Sequence, residues 1–131
     1  MERDALAPVI IGAVVVLAIA AGLTITGGPT SARAEKRDLA RLADLRVLAS
    51  FARCVADITG SAPTKLAPMG DCGTDLPLTD RTTDAPYRYE ALTAKGFLLC
   101  ADFERPGLIT NFDIAGAVWQ HDQGCFAFTQ P

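Results

Sequence analysis

The chain reads as an α+β protein: an N-terminal transmembrane helix continuing into a long amphipathic helix that packs on a small antiparallel sheet of three to four strands. Three observations predict this. Residues 8–26 hold no charge. Residues 32–58 contain neither Pro nor Gly and are rich in Ala, Leu, Arg and Lys, the composition of a long helix. The last third alternates apolar and polar residues between turn-forming ones, which is the period of strands. The expected division is a short tail over 1–7, a membrane helix over 8–27, an amphipathic helix over 28–60, and a Pro-rich loop with the sheet over 61–131. The second half of the amphipathic helix shares one domain with the sheet.

At about 1.5 Å per residue the uncharged run spans roughly 28 Å as a helix, close to the hydrocarbon thickness of a bilayer. Two readings compete for it. Ala32-Arg33-Ala34 is an A-x-A pattern with Pro29 upstream, so a signal peptidase could cut after Ala34. Against this, the run is longer than the roughly 7–15 residues of a signal core, and the leading MERD lacks a net positive charge. An uncleaved anchor is the reading adopted, and both readings place the domain outside the cytoplasm. The flanking charges point the other way. Only Arg3 precedes the run, whereas Arg33, Lys36, Arg37 and Arg41 follow it, which by the positive-inside rule keeps the C-terminal side cytoplasmic. Long domains translocate largely regardless of charge, so the cysteines take precedence. A cytoplasmic domain with four reduced thiols is the standing alternative. Within the run, Ala18 and Gly22 form a small-xxx-small step, a candidate contact with a partner helix.

Gly27-Gly28-Pro29 breaks the first helix, and Thr30 or Ser31 can cap the second. In the second half of that helix Leu45, Leu48, Ala52 and Val55 line one stripe, with Phe51 and Ile58 at its edge. Arg46, Arg53 and Asp57 fall opposite. Leu39 and Leu42 lie off the stripe, so packing should begin near Leu45. The stretch Arg33 to Arg41 reads either as an electrostatic hold on the membrane surface or as a solvated helix face.

Residues 61–86 carry Pro63, Pro68, Pro77 and Pro86, with Gly70 and Gly73. They read as a long irregular loop that Leu66, Met69, Leu76 and Leu78 can pin to a core. Such a loop in a compact domain asks for a function or a staple, and Cys72 can supply a staple. Strands are expected over 87–92, 97–103, 114–119 and 125–129. Turns fall at Thr93-Ala94-Lys95-Gly96, Arg105-Pro106-Gly107 and His121-Asp122-Gln123-Gly124.

Cys54, Cys72, Cys100 and Cys125 include no CxxC pair, which disfavours zinc ribbons and thioredoxin-like chemistry. An even count in a small domain suits two disulfides and hence an oxidising compartment. Three pairings are formally possible. Strand parity sets Cys100 opposite the Phe97/Leu99/Phe103 face and Cys125 opposite Phe126/Phe128. Antiparallel neighbours would therefore bring these two sulfurs together. That leaves Cys54 for Cys72.

A net charge of −3 gives no electrostatic footprint for nucleic acid. His121 is the lone histidine, so any general-base, metal or Cys125–His121 nucleophile scheme must use it, and an exposed structural His is the plainer reading. Asp102, Glu104 and Asp113 could form a carboxylate pair, with scattered solvated carboxylates the simpler alternative. Tyr87, Tyr89 and Trp119 form a candidate partner surface, against packing on the sheet. No catalytic, cofactor or metal residues are assigned, and the expected class is a structural or interaction protein rather than an enzyme. A secreted or periplasmic small-ligand binding domain released after Ala34 is the alternative.

The order of elements resembles the type IV pilins and pseudopilins, and more narrowly small membrane-anchored pilin-like proteins of bacteria. The carrying residues are Arg37-Asp38-Leu39-Ala40-Arg41-Leu42-Ala43-Asp44-Leu45-Arg46, Ala85-Pro86-Tyr87-Arg88-Tyr89-Glu90, Leu99-Cys100-Ala101-Asp102-Phe103 and Gly124-Cys125-Phe126. The resemblance implies a single-pass protein of the bacterial inner membrane. Its C-terminal domain would lie in the periplasm or outside, as an accessory subunit whose partners are the bilayer and other membrane-protein subunits. Pilins carry a Gly-Phe leader site and an early Glu in the apolar helix. Here Gly12 precedes Ala13 and no Glu lies in 8–26, so leader processing and filament assembly are not implied.

Overall fold

A computed structural model describes residues 2–25, 27–109 and 114–129. The chain divides into two compact units, Met1–Ala34 and Glu35–Pro131. Helix α1 spans Glu2–Ile25. Every side chain described on it, from Leu6 to Ile25, is exposed, including Val9, Ile10, Ile11, Val14, Val16 and Leu17. By length and composition it is apolar enough to cross a membrane.

Helix α2 spans Gly28–Thr59, within one residue of the expected 28–60. Gly27 and Gly28 both take positive φ, at 78° and 64°. Pro29 follows in the first turn, where its missing N–H leaves no bond unmade. Thr30 and Ser31 therefore lie inside the helix rather than capping it. Gly60, also at positive φ, terminates it, its N–H donating to the Ala56 carbonyl.

The 3.6-residue stripe is confirmed in its centre: Leu45, Leu48, Phe51, Ala52 and Val55 are buried. Three expectations about its margins are corrected. Leu42 is 1% exposed, so packing starts a full turn earlier than Leu45. Ile58 is exposed. Arg53 does not point away: it donates to the Ala115 carbonyl and its guanidinium lies 5.1 Å over the Phe128 ring.

The sheet has four antiparallel strands: β1 (Arg88–Ala91), β2 (Phe97–Cys100), β3 (Ala117–Gln120) and β4 (Cys125–Phe128), in the order β1-β2-β4-β3. β4 lies inside the sheet and all four of its residues are buried. Tyr89, Leu99, Phe126 and Trp119 fall in one cross-strand row, and Ala91, Phe97, Phe128 and Ala117 in the next row of the same face. Apart from Ala91, which is exposed, these rows join the α2 stripe in one core, with Leu66, Ile109 and Ile114. Phe97 stacks on Phe128 at 4.6 Å between centroids, and Trp119 lies 4.7 Å from Phe126.

Two strands each lose three residues of the runs that alternation predicts, and the other two lose only end residues. β2 ends at Cys100 because the chain then turns toward α2. Phe103 nevertheless keeps its place against Trp119 and Phe126. β3 starts at Ala117 rather than 114, since Gly116 sits at φ 78° and breaks the extended run. A one-turn helix α3 (Pro106–Ile109) fills the site of the expected Arg-Pro-Gly turn and buries Ile109. Residues 61–86 remain irregular, with two isolated bridges, Met69 to Gly73 and Thr79 to Pro86.

Gly124 closes the β3–β4 turn after a short 3-10 helix (His121–Gln123), at φ 63°. A Cβ there would stand 2.6 Å from the Ala101 carbonyl oxygen. Ala101 N–H in turn donates to the Gly124 carbonyl. Gly124→Ala should therefore lower stability by about 1–3 kcal/mol through backbone strain and clash, readable as a lower denaturation midpoint in urea.

Candidate functional site

Both disulfides pair as strand parity predicts. Cys54 bonds Cys72 and Cys100 bonds Cys125, the latter directly opposite in the β2–β4 register. Cys100 and Cys125 are buried, whereas Cys54 and Cys72 are only partly so. Cys125 is thus no free nucleophile beside His121, which is exposed on the 3-10 turn with the Trp119 ring 6.5 Å away. Among the described residues no three His, Cys, Asp or Glu side chains converge as a metal set requires.

The three aromatic residues proposed as a partner surface do not form one patch. Tyr89 and Trp119 share a row but stand on opposite edge strands. Tyr87 donates its hydroxyl to Asp44 Oδ2 at 2.9 Å, and Tyr89 donates to the Pro63 carbonyl at 2.6 Å. Burial raises both phenols; Asp44 raises Tyr87 further, and Tyr89 is pushed up to about 12. Both tyrosines line a groove of about 280 Å³ with Thr64, Lys65, Leu78 and Pro86. Trp119 packs on Phe103 and Phe126 instead. Ala18 and Gly22 lie on α1, within its exposed apolar surface.

The most organised polar site was not foreseen. Arg41, read as part of a solvated or membrane-facing stretch, is 2% exposed. Its Nε donates to Asp80 Oδ2 at 2.6 Å, and one terminal nitrogen donates to Asp38 Oδ1 at 2.7 Å and Glu104 Oε1 at 3.0 Å. Asp38 and Asp80 are buried with it. Each carboxylate has a second task. Asp38 accepts the backbone N–H of Glu104 at 2.9 Å and of Arg105 at 2.7 Å, where the chain enters α3. Asp80 accepts from the Thr82 N–H at 2.8 Å within its own turn, which Asp84 completes at φ 57°. Glu104, expected to be a scattered solvated carboxylate, holds Arg37 in a bidentate pair at 2.7 and 2.6 Å. Asp102 does stay exposed, 3.4 Å from Arg88. Asp113 lies outside the described residues.

The sequence carried a partial signal for this cluster. Asp38 and Arg41 stand at i, i+3 on one helix face, and Asp80-Arg81-Thr82 is a side-chain-capped turn. What joins them is tertiary. Burial works against the charge on Arg41, but hydrogen bonds from Asp80, Asp38 and Glu104 outweigh it and raise its pKa. Burial likewise opposes the charge on Asp80, and the Thr82 N–H and Arg41 overcome it, leaving its carboxyl lowered. Arg37 above all, then Arg41, holds Glu104 down to about 2. Chemically this is an electrostatic clamp, buried at Arg41, Asp38 and Asp80 and open to solvent at the Arg37–Glu104 pair. Compared with known proteins, the chain matches no family model, no curated protein and no solved structure.

Arg41→Met should destabilise the fold by roughly 3–5 kcal/mol, because Asp38 and Asp80 would stay buried without their counter-charge. Arg37→Met, at a side chain 35% exposed, should cost clearly less in the same thermal-unfolding assay. Stability should also fall in acid. Glu104 titrates near 4.5 when unfolded and about 2 when folded. The unfolded chain therefore binds the proton first, and the contribution is full above pH 4.5 and disappears as pH drops toward 2. Glu104→Gln should flatten the dependence of Tm on pH across that window.

Proposed function

We propose that this chain is a single-pass membrane-anchored protein whose Glu35–Pro131 unit serves as a structural or interaction module on the oxidising side of the membrane, as an accessory subunit of a larger membrane assembly. One observation carries this reading: α1 exposes apolar side chains all round, with no protein core of its own to bury them. Only lipid or other apolar helices satisfy such a surface. Two disulfides in the following unit favour an exoplasmic address. That unit exceeds the length below which flanking charges decide orientation, roughly 60 residues. The layout of membrane helix, long second helix, irregular loop and antiparallel sheet supports a pilin-like organisation, and a bacterial inner-membrane location goes with it.

Release after Ala34 is the competing outcome. Helix α2 runs without interruption through Ala34 and Glu35, so the peptide bond in question lies within regular helix, which favours retention. In membranes of a bacterial expression host, the protein should resist carbonate extraction, keep an N-terminus near Met1, and migrate in native gels above its own mass after gentle solubilisation. A soluble product starting at Glu35 would exclude the anchor, and migration only as a free monomer in several detergents would exclude the assembly role.

A further inference from the structure

The two disulfides differ in what they hold and in what can reach them. Cys100–Cys125 lies inside the sheet, its residues 4% and 1% exposed. Cys54–Cys72 ties α2 to the irregular segment, and both its residues are accessible in part. Cys72 lines an open groove of about 390 Å³ together with Arg46, Val47, Ser50, Phe51 and Leu76. That groove gives a second molecule a path to Cys72.

Beyond the sulfur the segment is tied again near Asp80, where the Tyr87 N–H donates to the Leu78 carbonyl and Thr79 bridges Pro86. Leu66 is buried at one end and Asp80, clamped by Arg41, at the other. No residue between them is fully buried; Met69, Cys72 and Leu76 are the residues that rest on the core, against a cluster that includes Phe51. The local bonds, Met69 N–H to the Gly73 carbonyl and the Cys72 and Gly73 N–H groups to the Met69 carbonyl, close a small turn upon itself.

We infer that Cys54–Cys72 is a reducible latch: thiol–disulfide exchange with a dithiol reductant opens it, frees residues 67–79 from α2 and uncovers Phe51, while the sheet and its own disulfide stay intact. The reductant's thiolate attacks Cys72 Sγ and the Cys54 thiolate leaves. The reductant's second thiol then displaces Cys72. The dithiol loses two electrons and two protons to become a disulfide, and Cys54 and Cys72 become thiols.

The test uses the full chain in detergent micelles with graded reduced thioredoxin or dithiothreitol, differential alkylation, and hydrogen exchange read by mass spectrometry. Cys54 and Cys72 should be labelled about ten-fold faster than Cys100 and Cys125, with exchange rising about ten-fold over residues 67–79 and unchanged in β2 and β4. The double variant Cys54→Ser/Cys72→Ser should reproduce that exchange pattern without reductant. Simultaneous reduction of both bonds, earlier labelling of Cys100 and Cys125, or unchanged exchange over 67–79 would overturn the latch. So would loss of sheet protection in the double variant, since the bond would then be a requirement of the fold.

Discussion

One guanidinium, that of Arg41, joins stretches of chain that are far apart in sequence. Through Asp80 it holds the end of the irregular segment, and through Asp38 and Glu104 the turn that follows β2. The net energy of such a cluster is small, because desolvating the ions offsets most of their attraction. The apolar core supplies the stability: each buried Leu or Phe contributes about 1.5–3 kcal/mol, and Leu42, Leu45, Leu48, Phe97, Leu99, Phe126 and Phe128 are all almost completely buried. The clamp therefore decides placement. An apolar core tolerates sliding of a surface segment by a residue, whereas a buried Asp80 or Asp38 without its partner is expensive. The observed register of the loop and of the post-β2 turn pairs Arg41, Asp38, Asp80 and Glu104 at once.

Placement then propagates. Asp38 accepts two backbone N–H groups at Glu104 and Arg105, which starts α3 and seats Ile109 in the core. Asp80 sets the turn over 80–85, after which Tyr87 N–H meets the Leu78 carbonyl and the Tyr87 hydroxyl meets Asp44. β1 begins at the next residue, already in register with β2. The outer face of the sheet needs less instruction, because Cys100–Cys125 covalently fixes the β2–β4 pair at its centre.

Periodicity was enough to read the apolar half of this structure. Spacing of 3.6 picked out Leu45, Leu48, Ala52 and Val55, and spacing of two picked out the faces of β2 and β4, from which both disulfides followed. It failed at Asp38 and Arg41 for one reason. A pattern treats charge as a mark of solvent, yet a charge can be buried when its counter-charge comes from elsewhere, here from 39 and 63 residues along the chain. Arg53 misled in a related way, since its guanidinium rests on the Phe128 ring while counting as polar. The shortened strands reflect backbone rather than pattern: Gly116 at positive φ interrupts an apolar run that alternation alone would extend.

The ties that organise the Glu35–Pro131 unit start from a single element. Arg37, Asp38, Arg41, Asp44, Arg53 and Cys54 all lie on α2; the first three meet at Glu104, and Arg41, Asp44, Arg53 and Cys54 reach Asp80, Tyr87, Ala115 and Cys72. Along α2 the ionic ties come first and the disulfide later. Acid therefore loosens the loop at its Asp80 end, by protonating a carboxylate whose pKa the fold lowers, whereas a reductant loosens it at Cys72. These two controls act on the same irregular segment through different chemistry, and neither touches the sheet. For a module proposed to meet partners while tethered, that arrangement keeps one surface rigid and leaves one adjustable. The division follows from where the chain puts its charges and its accessible disulfide, and it requires no reactive centre.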